Sequence, residues 1–406
     1  MHVLFVHQNF PAQFGHIAVH MDRKLGMRTT FVSEKPPGRF GGVERIQYAV
    51  RGGSTPQTHY CSRTFENAIW HTAAVYEALR ARPDIKPDLV VGHSGFGSTL
   101  FLRELYDCPI INYFEYFYHT TNSDMDFRPD FPCTEADRLR ARARNAMLLL
   151  DLENCDVGMS PTSWQRNLLP PIFHDKVRVI FDGIDTQLWK PMANLPRRIG
   201  DRVIPADMKI VTYVARGMES MRGFDIFMKM AKILGERLKN VLFVVVGQDR
   251  ICYGGDERHI GGPSFRDWVL ARDEYDLSRF LFTGLLPTPE LAGLFSLTDL
   301  HVYLTVPFVL SWSLMDALAC GAKILASDTA PVREMITHGE NGLLTDFFDA
   351  EAMADAAAEV LDNPSGFAHL GRNGTAMIRE KYSVDVCLPR ILELYREAIE
   401  TSKVKT

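Results

Sequence analysis

"VPFVLSWSLMDALACG" (residues 306–321) follows directly on the apolar run "DLHVYLTV" (residues 299–306). The earlier run is largely apolar and strand-like. The later one has helical spacing, no glycine before Gly321 and a single acid, Asp316. A strand passing straight into a helix is the repeating unit of a doubly wound sheet, whose ligands bind beyond the carboxyl ends of the strands. Val309, Leu310, Ser311 and Trp312 are read as the first helical residues. Their N–H groups have no partner within a helix, and the macrodipole adds partial positive charge there. Asp316 lies five residues past Ser311, too far inside to be an N-cap.

The same alternation runs through the chain. Strand-like segments include "HVLFVHQ", "DLVVGHS", "PIINYFEYF", "KIVTYVARG", "NVLFVVVGQD" and "AKILASD". Amphipathic segments such as "TFENAIWHTAAVYEALRARP" and "GFDIFMKMAKILGERLK" lie between them. Continuous Val/Ile/Leu/Phe strands separated by helices indicate parallel sheets covered on both faces, the α/β doubly wound class. With 406 residues, two domains of ordinary size are expected. The proline-bearing, aperiodic stretch from Gln187 to Lys209 reads as the boundary. The expected organisation is an N-terminal Rossmann-like domain over 1–190, a linker over 191–208 and a C-terminal domain over 209–383. A last helix over 384–406 is expected to pack back across the cleft that the domains face, with Pro389 near its start.

Charge and cysteines narrow the function. A net charge of −5 does not argue for nucleic acid, and the first half of the chain is neutral. The 7 cysteines form no CxxC pair, so neither a zinc site nor a disulfide framework is expected. A reducing cytoplasm fits. No apolar run approaches the ~18 residues of a membrane span. Peripheral contact with the inner face of a membrane stays open.

Five strand-to-helix turns carry the chemistry. In "HQNFPAQFGHIA", Gly15 precedes a helix and lets backbone approach a phosphate or sugar; an ordinary loop reads as well. In "DLVVGHSGFGSTL", His93 ends a strand as a hydrogen-bonding or acid/base group, or else as a satisfied turn histidine. "GFGSTL" lacks the third glycine of a dinucleotide fingerprint. In "VARGMESMRGFDIF", Arg216 and Arg222 stand at a helix N-terminal turn, where cations are unfavourable unless an anion joins them. A diphosphate suits two guanidinium groups. In "VVVGQDRICYGGDE", Gly247 opens a polar loop against which a base or ribose could lie. In the opening stretch, Asp316 has apolar neighbours that favour burial, and a ribose hydroxyl pair would give it donors. Helix N-terminus, two arginines and one acid together suit a nucleoside diphosphate without a metal.

Together these turns resemble the GT-B glycosyltransferases of family 4. "FVHQNFPAQFGHIA" looks like the family's N-terminal glycine loop, and "VIFDGIDTQLWKP" is similar to its segment before the linker. "LMDALACGAKILASDTAPVREMITHGENGLL" is similar to its long C-terminal motif. The resemblance implies a retaining, metal-independent transfer of sugar from a nucleotide-diphosphate sugar, UDP- or GDP-linked, to a hydroxyl acceptor, with no further cofactor. Arg216 and Arg222 would hold the diphosphate, with Gly247, Val309, Leu310 and Ser311 around the donor. Asp316 would take the ribose role usually given to glutamate. His93 would lie near the reaction centre, and Gly15 would let its loop close on the phosphates. Asn9, Phe10, Glu115, Tyr118 and His119 are placed on the acceptor side. The chain departs from the pattern at Phe308, where an acid usually touches the donor sugar, and at "VLS" (309–311), where "GFG" is usual. Two alternatives remain beside transfer: a nucleotide-sugar epimerase, and a binding protein that has lost catalysis, the latter motivated by Phe308.

"RLRARAR" places Arg138/Arg142 and Arg140/Arg144 at i,i+4 spacing, where they read as a solvated face or as a contact for anionic acceptor or lipid phosphate. Asp124-x-Asp126 in "SDMDF" reads as helix-start chemistry in a loop and not as a metal motif.

Overall fold

The computed structural model describes residues 1–95 and 97–405, without the side chains of 403–405. Contacts divide the chain into two units. One comprises Met1–Thr121, Cys133–Asp182 and Cys387–Thr406; the other comprises Asn122–Pro132 and Gly183–Val386.

The first unit contains β1 (His2–Val6), β2 (Arg28–Ser33), β3 (Gly38–Phe40), β4 (Val43–Gln47), β5 (Leu89–His93), β6 (Ile110–Tyr113), β7 (Val157–Ser160) and β8 (Val177–Val179). They form one sheet in the order β3-β4-β2-β1-β5-β6-β7-β8. Every residue of β1 and β5 is buried, which is why these strands read as unbroken apolar runs. All pairings are parallel except β3 with β4. Neither strand carries an apolar run: β3, at the sheet edge, is exposed throughout, and β4, between β3 and β2, is "VERIQ" with only Val43 and Ile46 buried. The winding direction reverses at β1, between β2 and β5. His7 follows β1 and His93 ends β5, so both stand at the switch point of the sheet.

The second unit opens with a small antiparallel hairpin, β9 (Arg198–Ile199) and β10 (Arg202–Val203), inside the stretch read as a linker. Ile199 and Ile204 are buried in a cluster with Ile210, Leu242, Val244, Val246 and Leu294. This stretch is therefore packed onto its unit. The main sheet holds β11 (Lys209–Gly217), β12 (Val241–Gln248), β13 (Phe280–Gly284), β14 (Leu300–Tyr303), β15 (Ile324–Ser327) and β16 (Leu343–Thr345). Its order is β13-β12-β11-β14-β15-β16, all parallel, with the switch point between β11 and β14. Both units are thus Rossmann-like.

The last helix runs Val384–Lys405, which puts Pro389 inside the helix and not at its first position. From Cys387 it belongs to the first unit: the Tyr395 ring lies 6.4 Å from Phe5, and Arg390 donates to the Val179 carbonyl at 3.2 Å. No described helix is long and apolar enough to cross a membrane.

Candidate active site

In the second unit, residues at the ends of β11, β12 and β14 converge. β11 ends in Arg216 and Gly217, and a short turn, Ser220–Arg222, follows. Gly223 has φ +62°, and a Cβ there would stand 2.9 Å from Leu304 Cβ, so only glycine joins this turn to the helix Phe224–Arg237. Arg216 is exposed. The adjacent Tyr253 hydroxyl pushes its guanidinium pKa further up. Arg222 is buried, with its charge centre 5.2 Å from the Tyr253 ring and 5.8 Å from the Phe308 ring. It donates to Thr305 Oγ1 at 2.7 Å and to the Val309 carbonyl at 3.1 Å. Tyr253 thus contacts both arginines, and Phe308 packs 5.5 Å from Tyr253 where the sequence pattern suggested an acid.

The turn is held from below by two acids that sequence reasoning missed. Glu219 is fully buried, and its Oε2 accepts from the N–H groups of Cys252, Tyr253 and Gly254 at 2.8–3.1 Å. Burial raises its pKa against those hydrogen bonds. Asp256 accepts from Ser220 N at 2.7 Å and Ser220 Oγ at 2.6 Å. The partners lie more than thirty residues apart in sequence, so no local spacing marks them. The "GQDRICYGGDE" loop therefore secures the arginine turn. Gly247 serves close backbone approach: at φ +148°, a Cβ would stand 2.4 Å from the Ala215 carbonyl oxygen.

The helix after β14 begins later than expected. It runs Trp312–Ala319, with Ser311 as an extended N-cap, so Val309 and Leu310 precede it. Ser311 N–H is engaged by the Tyr303 hydroxyl at 2.7 Å. Arg222 and Tyr303 shape this loop through contacts that helical periodicity does not encode. Asp316 sits at the fifth helical position, half-buried. Burial alone raises its pKa well above the ordinary carboxylate range, and no described side chain donates to it. Among the described residues it is an acceptor without donors.

In the first unit, His93 is fully buried at the end of β5. Its Nδ1 meets the Ser94 carbonyl at 2.9 Å, and its Nε2 lies 3.6 Å from a Glu115 carboxylate oxygen. The structure thus brings His93 and Glu115 together. The His7 ring crosses His93 edge-on at 5.1 Å. Burial, with His93 second, lowers the His7 pKa to about 3, so His7 is neutral. Behind His93, Asp151 accepts from Ser94 Oγ at 2.7 Å and Ser98 Oγ at 2.8 Å. Burial raises its pKa to about 6, with the serine hydrogen bonds opposing.

That shift has a consequence for stability. The folded state holds the Asp151 proton more tightly than the unfolded chain, whose ordinary value is ~4. This contribution is fully present below pH ~4 and is lost as pH rises towards 6. Asp151→Asn should flatten the pH dependence of Tm in that window by an amount equivalent to about 2–3 kcal/mol. Parallel pH–Tm curves for variant and wild type would refute the assignment.

The remaining sequence candidates divide. Gly15 opens the helix Gly15–Leu25, and a Cβ there would stand 2.2 Å from Pro11 Cβ, so its glycine is needed for internal packing. Asn9 is exposed, and its N–H donates to His7 Nδ1 at 2.8 Å. Phe10 packs edge-on to Phe31 and Phe40 at 4.9 and 5.5 Å, which accounts for its apolar character without a ligand. Tyr118 accepts from Arg144 at 2.6 Å, and His119 meets the Leu168 carbonyl at 2.8 Å. Of the helix arginines, Arg140 and Arg144 contact Tyr60 and Tyr118, while Arg138 and Arg142 are exposed. Asp126 forms a capping box with Ser123 at the helix Asp124–Phe127.

Comparison with known proteins agrees with this architecture. A sucrose-phosphate synthase from Thermosynechococcus elongatus superposes with a TM-score of 0.74 at 19% identity, over 98% of this chain and 99% of that one. Anabaena HepE in complex with UDP-glucose gives 0.71 at 14% identity, over 98% and 100%. The fold is that of the GT-B glycosyltransferases. Two family models match successive stretches: the glycosyl transferase family 4 group over residues 25–189, and glycosyl transferases group 1 over residues 197–377. The chain belongs to glycosyltransferase family 4. Among curated relatives, a D-inositol 3-phosphate glycosyltransferase from Thermobispora bispora is 27% identical over 56% of this chain and 51% of its own length. One from Corynebacterium glutamicum is 25% identical over 80% and 75%. An N-acetyl-alpha-D-glucosaminyl L-malate synthase from Bacillus anthracis is 22% identical over 56% and 55%. The chain spans about half the length of the first of these and of the last.

Proposed function

We propose that this protein transfers a sugar from a nucleotide-diphosphate sugar to a hydroxyl acceptor with retention of anomeric configuration, and that it needs no metal for the step. The observation that carries the reading is Asp316: a half-buried carboxylate without a donor among the described residues, on the helix whose N-terminus follows the switch-point strand. A ribose hydroxyl pair supplies the missing donors. Arg216 and Arg222 meet the diphosphate, whose charge grows as the glycosidic bond breaks, so their stabilisation is greatest in the transition state. The leaving phosphate oxygen takes the acceptor proton as the new bond forms on the same face. His93, paired with Glu115, orients hydroxyl groups on the acceptor side. A UDP- or GDP-linked donor is favoured by the family membership and by the UDP-glucose complex of Anabaena HepE.

The test is a thermal-shift screen against UDP, GDP, ADP and TDP, with and without EDTA, followed by product analysis with the matching sugar conjugates. A ligand at 100 times its Kd adds about 2.7 kcal/mol of stability. Stabilisation by one nucleoside diphosphate regardless of EDTA is expected. No response to any of the four would defeat the donor assignment. An epimerised donor in the absence of acceptor would replace transfer with the epimerase reading.

A further inference from the structure

Residues Asn122–Pro132 belong to the second unit although the chain on both sides of them belongs to the first. This strap is fastened by aromatic rings. Phe127 stacks on Phe348 at 5.2 Å and meets Phe347 edge-on at 5.2 Å. Phe131 packs 5.7 Å from Phe265 and 5.8 Å from Trp268. Between the two clusters lies Arg128, only 4% exposed. Its guanidinium pairs with Asp225 through two hydrogen bonds, at 3.2 and 2.7 Å, and donates a third to the Ser220 carbonyl at 2.9 Å.

The position of those acceptors matters more than the pair itself. Ser220 opens the turn that ends in Arg222, and Asp225 lies in the first turn of the helix that follows it. Asp256 holds Ser220 through its N–H and hydroxyl, and Arg128 holds its carbonyl. Every polar group of Ser220 is thereby assigned. Inside this aromatic fastening, all three hydrogen bonds of the buried cation end on the arginine turn and on the helix that follows it.

We propose that Arg128 is a positioning residue for donor binding: through the Ser220 carbonyl and Asp225 it sets the turn that presents Arg222 to the donor diphosphate. This rests on the donor reading of the previous section. No group of Arg128 itself touches the donor.

Arg128→Met should raise both the Kd for the preferred nucleoside diphosphate and the donor KM by roughly 10–100-fold, the scale on which small misplacements of binding groups act. The acceptor KM should hold. Because this variant strands Asp225 in a buried place, its folding suffers as well, so a second variant separates the effects. Arg128→Met with Asp225→Leu removes both charges, and replacing a buried ion pair by apolar residues is often neutral or stabilising. The expected result for the double variant is a Tm close to that of wild type with the weakened Kd unchanged, and partial recovery of affinity in Arg128→Lys. Affinity is measured by titration calorimetry with whichever of UDP, GDP, ADP and TDP binds the wild-type protein. If the double variant binds as tightly as wild type, the strap is only a structural fastening and the proposal is overturned. If the wild-type protein binds none of the four, the donor reading falls and takes this inference with it.

Discussion

Replacing Arg216 by alanine should lower kcat by roughly 10²–10³-fold, the cost of removing one charged donor from a developing oxyanion. The Tm should stay at the wild-type value. The two expectations follow from one observation: Arg216 is exposed at the carboxyl end of β11, and its neighbour Tyr253 is held independently by Glu219. Little of the fold depends on it. The donor KM should rise less than kcat falls, because the phosphate gains charge as the bond breaks and the guanidinium is worth most then. Arg216→Lys should recover only part of the loss, since an ammonium cannot offer the planar pair of donors. Arg222→Ala is the less clean experiment. Arg222 is buried against Tyr253 and Phe308 and ties Thr305 to the Val309 carbonyl, so its loss perturbs the fold as well as the chemistry. Unchanged turnover in a folded Arg216→Ala protein would remove Arg216 from the mechanism.

The second large effect concerns Asp316. Asp316→Ala should weaken nucleoside diphosphate binding by at least roughly 10–100-fold, the loss of one hydrogen bond to a charged acceptor at about 1.5–3 kcal/mol. Affinity for inorganic diphosphate, which has no ribose, should not change. The ligand-free variant should be at least as stable as wild type, since no donor in the protein is left without its acceptor. The pH dependence has a definite sign. Burial raises the folded-state pKa of Asp316, so the folded protein holds this proton more tightly than the unfolded chain. The contribution to stability is fully present below the unfolded value of ~4 and is lost as pH rises towards the folded pKa. The Tm advantage of Asp316→Asn over wild type should therefore widen as pH increases from that value, and a bound nucleotide should narrow it. Equal loss of affinity for inorganic diphosphate and nucleoside diphosphate would place Asp316 away from the ribose.

Much of the architecture was legible because parallel strands buried on both faces leave an unmistakable pattern. β1, β5 and β12 are apolar along nearly their whole length, with polar residues only at their ends: His2, His93 and Gln248. β3 escaped notice because an exposed edge strand needs no apolar face, and β4 because it buries only Val43 and Ile46 among charged and polar residues. The hairpin β9–β10 was hidden because it is exposed except at Ile199 and is anchored by that residue and the following Ile204 without any periodicity. The start of the helix Trp312–Ala319 was misplaced because Arg222 and the Tyr303 hydroxyl hold the preceding loop, and neither is near it in sequence.

By itself the sequence determined where the candidate residues lie: Arg216 and His93 at strand ends, Arg222 in the turn after β11 and Asp316 in the helix after β14, all on the side of a doubly wound sheet where ligands are met. Only the tertiary structure decided how those residues are held. The loop after β12 fastens the arginine turn, donating to Glu219 within the turn and accepting from Ser220 through Asp256, while Asp151 secures the serines behind His93 and Arg128 reaches Ser220 from a strap more than ninety residues away. The physical reason is the same in each case. A functional side chain can be recognised from its place on a strand or helix, which is a local property. Its supports are buried polar groups that need a partner of the opposite kind within hydrogen-bond reach, and which residue supplies that partner is set by the folding of distant segments together.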